Sequence, residues 1–161
     1  MVSMIIIFLP FTLRAQGAES SIGLGILFGV AFPQGSTNAI PSVDWQPSLN
    51  WGFYVNIPII SSLNLMTSSE LYKFGSENAT DFDLAIKFIV PLADFKLYAG
   101  FAPGLTAVRE ALDIHVGIIG GAAIKLVSNL DIFVQAKYVF LFDGNENIRV
   151  FHINAGLLFN F

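Results

Sequence analysis

The side chains of this chain best suited to move a proton near neutral pH are its two histidines, His115 and His152. Carboxylates at Glu110, Asp113 and Asp143 are expected to lie nearby. A second set of polar side chains, Glu70, Lys87, Gln135 and Lys137, is separated by spacings that put it on one face of successive strands. Glu70 and Lys87 are expected across one hairpin. Such a set has two readings: a polar gate or narrow ion path, or a buried ion-pair network that plugs the fold, because a buried charge must find a partner. The plug is the stronger reading. Lys125 and Asp131 flank one short turn and read the same way. Nothing else suggests chemistry. The chain has no cysteine, which excludes thiol catalysis and thiolate metal sites, and no cofactor or metal site is expected. Asn78-Ala79-Thr80 matches a glycosylation sequon but reads as a polar loop tip. Gly120-Gly121 is expected to mark a kink or bulge in a strand.

The elements that would position these residues follow from composition. Of 161 residues, 54% are hydrophobic and only 12% charged, about half the charged share of an ordinary soluble domain. No 18-residue stretch reads as an apolar helix. The segment 114–127 is interrupted by His115, Lys125 and glycines and is too short to span ~30 Å of hydrocarbon. A hydrophobic chain without spanning helices must satisfy its backbone otherwise, and in lipid only a closed barrel does so. The net charge of -4 is small and scattered, so nucleic acid is not an expected partner.

Period-two alternation then recurs along the chain. Ile22, Leu24, Ile26, Phe28, Val30 and Phe32 oppose Gly23, Gly25, Gly29 and Ala31, with Leu27 the large exception. Segments 49–59, 82–92, 95–102, 114–126, 130–140 and 151–161 alternate in the same way, and only 63–74 does so poorly. One face is bulky and nearly free of charge. The other is glycine, alanine, amides and charges, too small and too weakly polar to solvate a soluble protein. The bulky face is therefore read as facing lipid, and the small face as filling a narrow lumen. Both histidines point inward near the outer rim. Short joints at 58–62, 91–94 and 127–129 alternate with longer ones at 33–47, 75–81, 103–113 and 143–149. This is the asymmetry of short periplasmic turns and longer outer loops. The expectation is an all-β, eight-stranded antiparallel up-and-down transmembrane β-barrel over 19–161, with both ends periplasmic. Aromatics fall at the rims: Trp51, Phe82, Phe142 and Phe151 toward the outside, Phe95, Phe159 and Phe161 toward the inside. Residues 1–18, with the apolar run Met4 to Phe11 and small residues around Ala15 and Ala18, read as a signal peptide.

The last strand, Val150 to Phe161, ends in Phe with apolar residues at alternate positions, and two similar hairpins surround 90–100 and 129–136. On these features the chain resembles the small eight-stranded Gram-negative outer-membrane β-barrel domain family. The resemblance implies residence in the bacterial outer membrane, insertion by the barrel-assembly machinery through the C-terminal signal Phe159 and Phe161, a lipid bilayer as environment and a monomeric state. It bears little on activity. Three roles follow: a non-enzymatic structural or surface-interaction barrel, a narrow channel for a small solute, or a lipid A-modifying enzyme. Deacylases among small barrels place His two residues before Ser. Here the matching stretch is His152-Ile153-Asn154, and Asn cannot attack an acyl carbon. The non-enzymatic role is the leading one.

Overall fold

The computed structural model describes residues 21–35, 46–75, 77–93, 95–108, 111–143 and 146–161. The expected signal segment 1–18 and most of the joint 33–47 lie outside them. Eight strands run in sequence order: β1 Gly23–Gln34, β2 Ser48–Ile60, β3 Leu63–Phe74, β4 Glu77–Leu92, β5 Phe95–Val108, β6 Ala111–Val127, β7 Leu130–Asp143 and β8 Glu146–Asn160. Each pairs antiparallel with the next, and β1 closes on β8 from Gly23↔Asn160 to Gln34↔Arg149, so the sheet has no edge. The Phe161 backbone N–H extends that seam by donating to the Ile22 carbonyl at 3.0 Å.

The bulky face points outward. Phe82, Leu84, Ile86, Phe88, Val90 and Leu92 of β4 are all exposed, as are Phe28, Leu49, Phe101, Ile118 and Val134 on other strands. A soluble protein does not expose a continuous belt of this kind. From Phe82 to Leu92, about ten rises of ~3.3 Å tilted by ~40° cover ~25 Å of height, the thickness of the apolar band of a transmembrane barrel. Trp51, Phe82, Phe142, Phe159 and Phe161 are exposed at the margins of the belt. Phe95 and Phe151 are half-buried, and Phe151 is tilted against Phe32.

The outer joints differ from expectation. Residues 77–81 belong to β4, 103–108 to β5, 111–113 to β6, Asp143 to β7 and 146–149 to β8. Those segments are strand, not loop, and the Asn78-Ala79-Thr80 stretch is a paired part of β4 with Ala79 buried inside. Beyond the lipid belt outward residues such as Asn78, Thr80 and Arg149 are polar while inward ones such as Ala79, Ile148 and Val150 are apolar, so the lipid-facing pattern fades while the ladder continues. Pro103 is accommodated because the β4–β5 ladder has a gap between Asp83↔Gly104 and Ile86↔Phe101 without a change of register. The missing N–H falls where no ladder bond is made.

Inward glycines make room for large side chains across the ladder. Gly25 faces Tyr54, Gly121 faces Tyr98, Gly156 faces Phe133 and Gly104 faces His115. A Cβ at any of these glycines would meet that ring. Gly120-Gly121 is accordingly no bulge. Its register runs unbroken, and the register shifts of the sheet lie at Pro58/Ile60 and Lys125/Val127.

Candidate functional site

The lumen is layered. Nearest the outer hairpins, Ala31, Tyr72, Ala79, Val139, Leu141, Ile148 and Val150 pack as one buried apolar cluster. Further inward along the strands lies a polar cluster, then a second apolar layer of Leu27, Tyr54, Met66, Ala85, Ala102, Ile119, Phe133 and Leu158. At the inner end, where the short turns lie, a cavity of about 170 Å³ opens.

Lys137 of β7 is the hub of the polar cluster. Its ammonium lies 2.8 Å from Glu70 Oε1, 3.2 Å from Asp81 Oδ2 and 3.0 Å from Asp83 Oδ2, with all four side chains fully shielded. It fills the space between three carboxylates that a cation would otherwise take. The neutral groups complete the shell. Ser68 donates to Asp83 at 2.9 Å, Tyr72 to Asp81 at 3.0 Å and Thr106 to Asp81 at 2.8 Å. Asn50 donates to Asn154 Oδ1 at 2.8 Å, and Asn154 donates to Glu70 at 3.1 Å.

Both histidines belong to this cluster. His115 Nε2 is 2.9 Å from Asp83 and its Nδ1 is 2.7 Å from Thr106 Oγ1. Thr106 has one hydrogen and gives it to Asp81, so the bond from His115 Nδ1 runs toward the threonine oxygen. His152 packs edge-on against Tyr72, with ring nitrogens 3.5 Å from Glu70 and 3.6 Å from Asp81.

Several expectations need correction. The histidines point inward and are fully buried, His115 opposite Leu141 and His152 opposite Ala31 in the ladder. Their carboxylate neighbours are Asp83, Glu70 and Asp81. Asp113 is half-buried, and Glu110 and the Asp143 side chain lie outside the described residues. Glu70 does not meet Lys87. It lies opposite Asp81, while Lys87 lies opposite Asn64, nearer the inner end. The four-residue set therefore splits. Glu70 and Lys137 join the upper cluster, whereas Lys87 and Gln135 line the cavity below the second apolar layer. Gln135 accepts from Tyr98 OH at 3.3 Å. Asp131, paired with Lys125 in the ladder, also receives Lys96 Nζ at 2.9 Å.

Asp81, Asp83, Thr106, Asn50, Ser68 and Tyr72 are the cluster members that sequence reasoning did not single out, and Asn154 entered it only as the residue two places after His152. Asp83 was already on the inward face of its strand. Carrying the same alternation two residues back reaches Asp81, and carrying the Ala102, Gly104 series forward reaches Thr106. The order Thr106–His115–Asp83 has the connectivity of a nucleophile, base and orienting acid. Yet all three side chains are shielded and Thr106 is already spent on Asp81, so no substrate atom can approach the hydroxyl.

The closed ladder and its exposed apolar belt define an eight-stranded up-and-down transmembrane β-barrel, the architecture of Gram-negative outer-membrane barrels. No protein-family model and no curated protein matches the sequence, but solved structures do. The chain is similar to Neisserial surface protein A (TM-score 0.72, 14% identity, covering 87% of this chain and 97% of that one). It is also similar to the N-terminal β-barrel domain of Pseudomonas aeruginosa OprF (TM-score 0.60, 11% identity, 88% and 98%). A de novo designed transmembrane β-barrel matches with a TM-score of 0.56 at 11% identity, over 91% of this chain and 100% of the design. At such identities the shared property is the fold.

Proposed function

We propose that the protein is a non-enzymatic, plugged barrel of the Gram-negative outer membrane, acting as a monomer in a structural or surface-interaction role. The observation that carries this reading is the lumen. A fully shielded ion-pair cluster centred on Lys137 sits between two apolar layers, and moving an ion through it means breaking the cluster. A buried network of this kind fixes one arrangement of the surrounding strands. With the interior filled, the surfaces left for interaction are the outer hairpins, where Gln34, Lys73, Asn78 and Arg149 are exposed. Insertion by the barrel-assembly machinery, with Phe159 and Phe161 as its signal, belongs to the same proposal. Both rings are exposed, so they are available to a recognising partner.

Single-channel recording in planar bilayers tests the plug. The protein is expected to be silent, and stepwise ohmic conductance would favour the solute-channel reading instead. The enzymatic alternative is tested by the lipid A mass spectrum of cells overexpressing the protein. It is expected to be unchanged, and loss of an acyl chain that depends on His115 or His152 would overturn the non-enzymatic reading.

A further inference from the structure

The cavity at the inner end has a composition opposite to that of the cluster above it. Among the described residues, its charged lining is Lys87, Lys96, Lys125 and Asp131, three cations to one anion. Asp131 is already engaged by Lys96. Asn56, Asn64, Ser128 and Asn160 add neutral polar groups to the wall.

Lys87 is the unusual member. It is 5% exposed, and its ammonium is held over two aromatic faces, 5.5 Å from the Tyr54 ring centre and 4.9 Å from that of Tyr98. Among the described residues no carboxylate, carbonyl or hydroxyl bonds to it. A buried ammonium without an anionic partner is costly, and ring faces satisfy its charge in part while forming no hydrogen bond with strong acceptors. The free N–H groups face a space of about 170 Å³, well above what a single buried water needs. An anion seated there supplies what the protein does not.

We propose that the inner mouth of the barrel is a binding site for a small soluble oxyanion of the phosphate class, with Lys87 at its floor and Lys96 and Lys125 on its walls. Lysine ammonium groups bind phosphate as point charges, and among the described residues no arginine lines the cavity. Access is from the end bearing the short turns. The carboxylates of the upper cluster repel an anion that would go further, so the site is a pocket and not a passage.

The test uses the full chain in nanodiscs of phosphatidylcholine alone, titrated with inorganic phosphate and read by phosphorus-31 NMR, in which free phosphate and lipid phosphodiester give separate signals. The wild type is expected to bind phosphate saturably. Lys87→Met should weaken binding at least about tenfold, Lys87→Arg should retain most of it, and Asp131→Asn should tighten it by releasing Lys96. Mobility in unheated SDS shows whether each variant remains a closed barrel. Absence of saturable binding by the wild type overturns the proposal, as does equal affinity in a closed Lys87→Met barrel. A Lys87-dependent change confined to the lipid signal, seen only when phosphatidylglycerol is added to the discs, assigns the mouth to a headgroup and overturns the soluble-anion assignment.

Discussion

Replacing Lys137 by Met removes the ammonium that, among the described residues, alone touches Glu70, Asp81 and Asp83. Methionine roughly matches the aliphatic stem in volume, so the change is chiefly one of charge. Three shielded carboxylates then face one another with only the histidines and neutral donors to offset them. Breaking a buried pair by removing one partner costs about 3–5 kcal/mol, and the three contacts here put Lys137→Met in the upper part of that range. At 1.4 kcal/mol per power of ten, the folded-to-unfolded ratio falls by roughly three powers of ten. The assay is urea unfolding in lipid vesicles, with the folded fraction read from unheated SDS mobility. Adding Glu70→Gln to Lys137→Met should recover part of the loss, whereas Glu70→Gln alone should destabilise. The two changes should thus be non-additive by at least about 1 kcal/mol. A shift below about 0.5 kcal/mol for Lys137→Met, or strict additivity of the pair, would refute the hub assignment.

Other substitutions probe other parts of the barrel. Gly121→Val places a branched side chain against the Tyr98 ring and the Val134 carbonyl. It should cost about 1–3 kcal/mol, measured by the same unfolding assay. Ile118→Arg puts a charge in the middle of the lipid belt and should cost about 2–4 kcal/mol, while Asn129→Arg at an inner turn should cost about 0–1 kcal/mol; equal costs would contradict the lipid-facing assignment. Deleting Phe161 removes an exposed ring and one hydrogen bond to Ile22. Assembly in cells should fall sharply while refolding into vesicles changes little, and parallel losses in both would argue that the residue is structural and not a signal.

Fold class and strand count were legible because a lipid-facing strand must alternate. Where one face is mostly Phe, Leu, Ile and Val and the other mostly small, the period of two is plain, as in β1 apart from Leu27. It fades in two places for physical reasons. In β3 the outward residues include Thr67 and Ser69 and the inward ones Ser68 and Glu70, so both faces are polar although the side chains alternate normally. In the outer parts of β4 to β8 no lipid presses on the strand, and the polarity of Asn78, Thr80 or Arg149 resembles that of a loop. The candidate site was legible residue by residue, but its contacts were not. Glu70 and Lys137 lie on β3 and β7 and meet only across the lumen of the closed barrel, a distance that no hairpin register contains. The pairing expected from sequence, Glu70 with Lys87, was the local one. The lumen replaced it with a longer-range partner and left Lys87 to the inner mouth.

The most direct test of a closed, lipid-embedded barrel is gel mobility of the protein from outer-membrane fractions, comparing unheated and boiled samples in SDS. A closed barrel resists cold SDS, so the unheated protein is expected to run as a compact band that shifts on boiling. Recovery in the soluble fraction, or a single band indifferent to heating, would contradict the account.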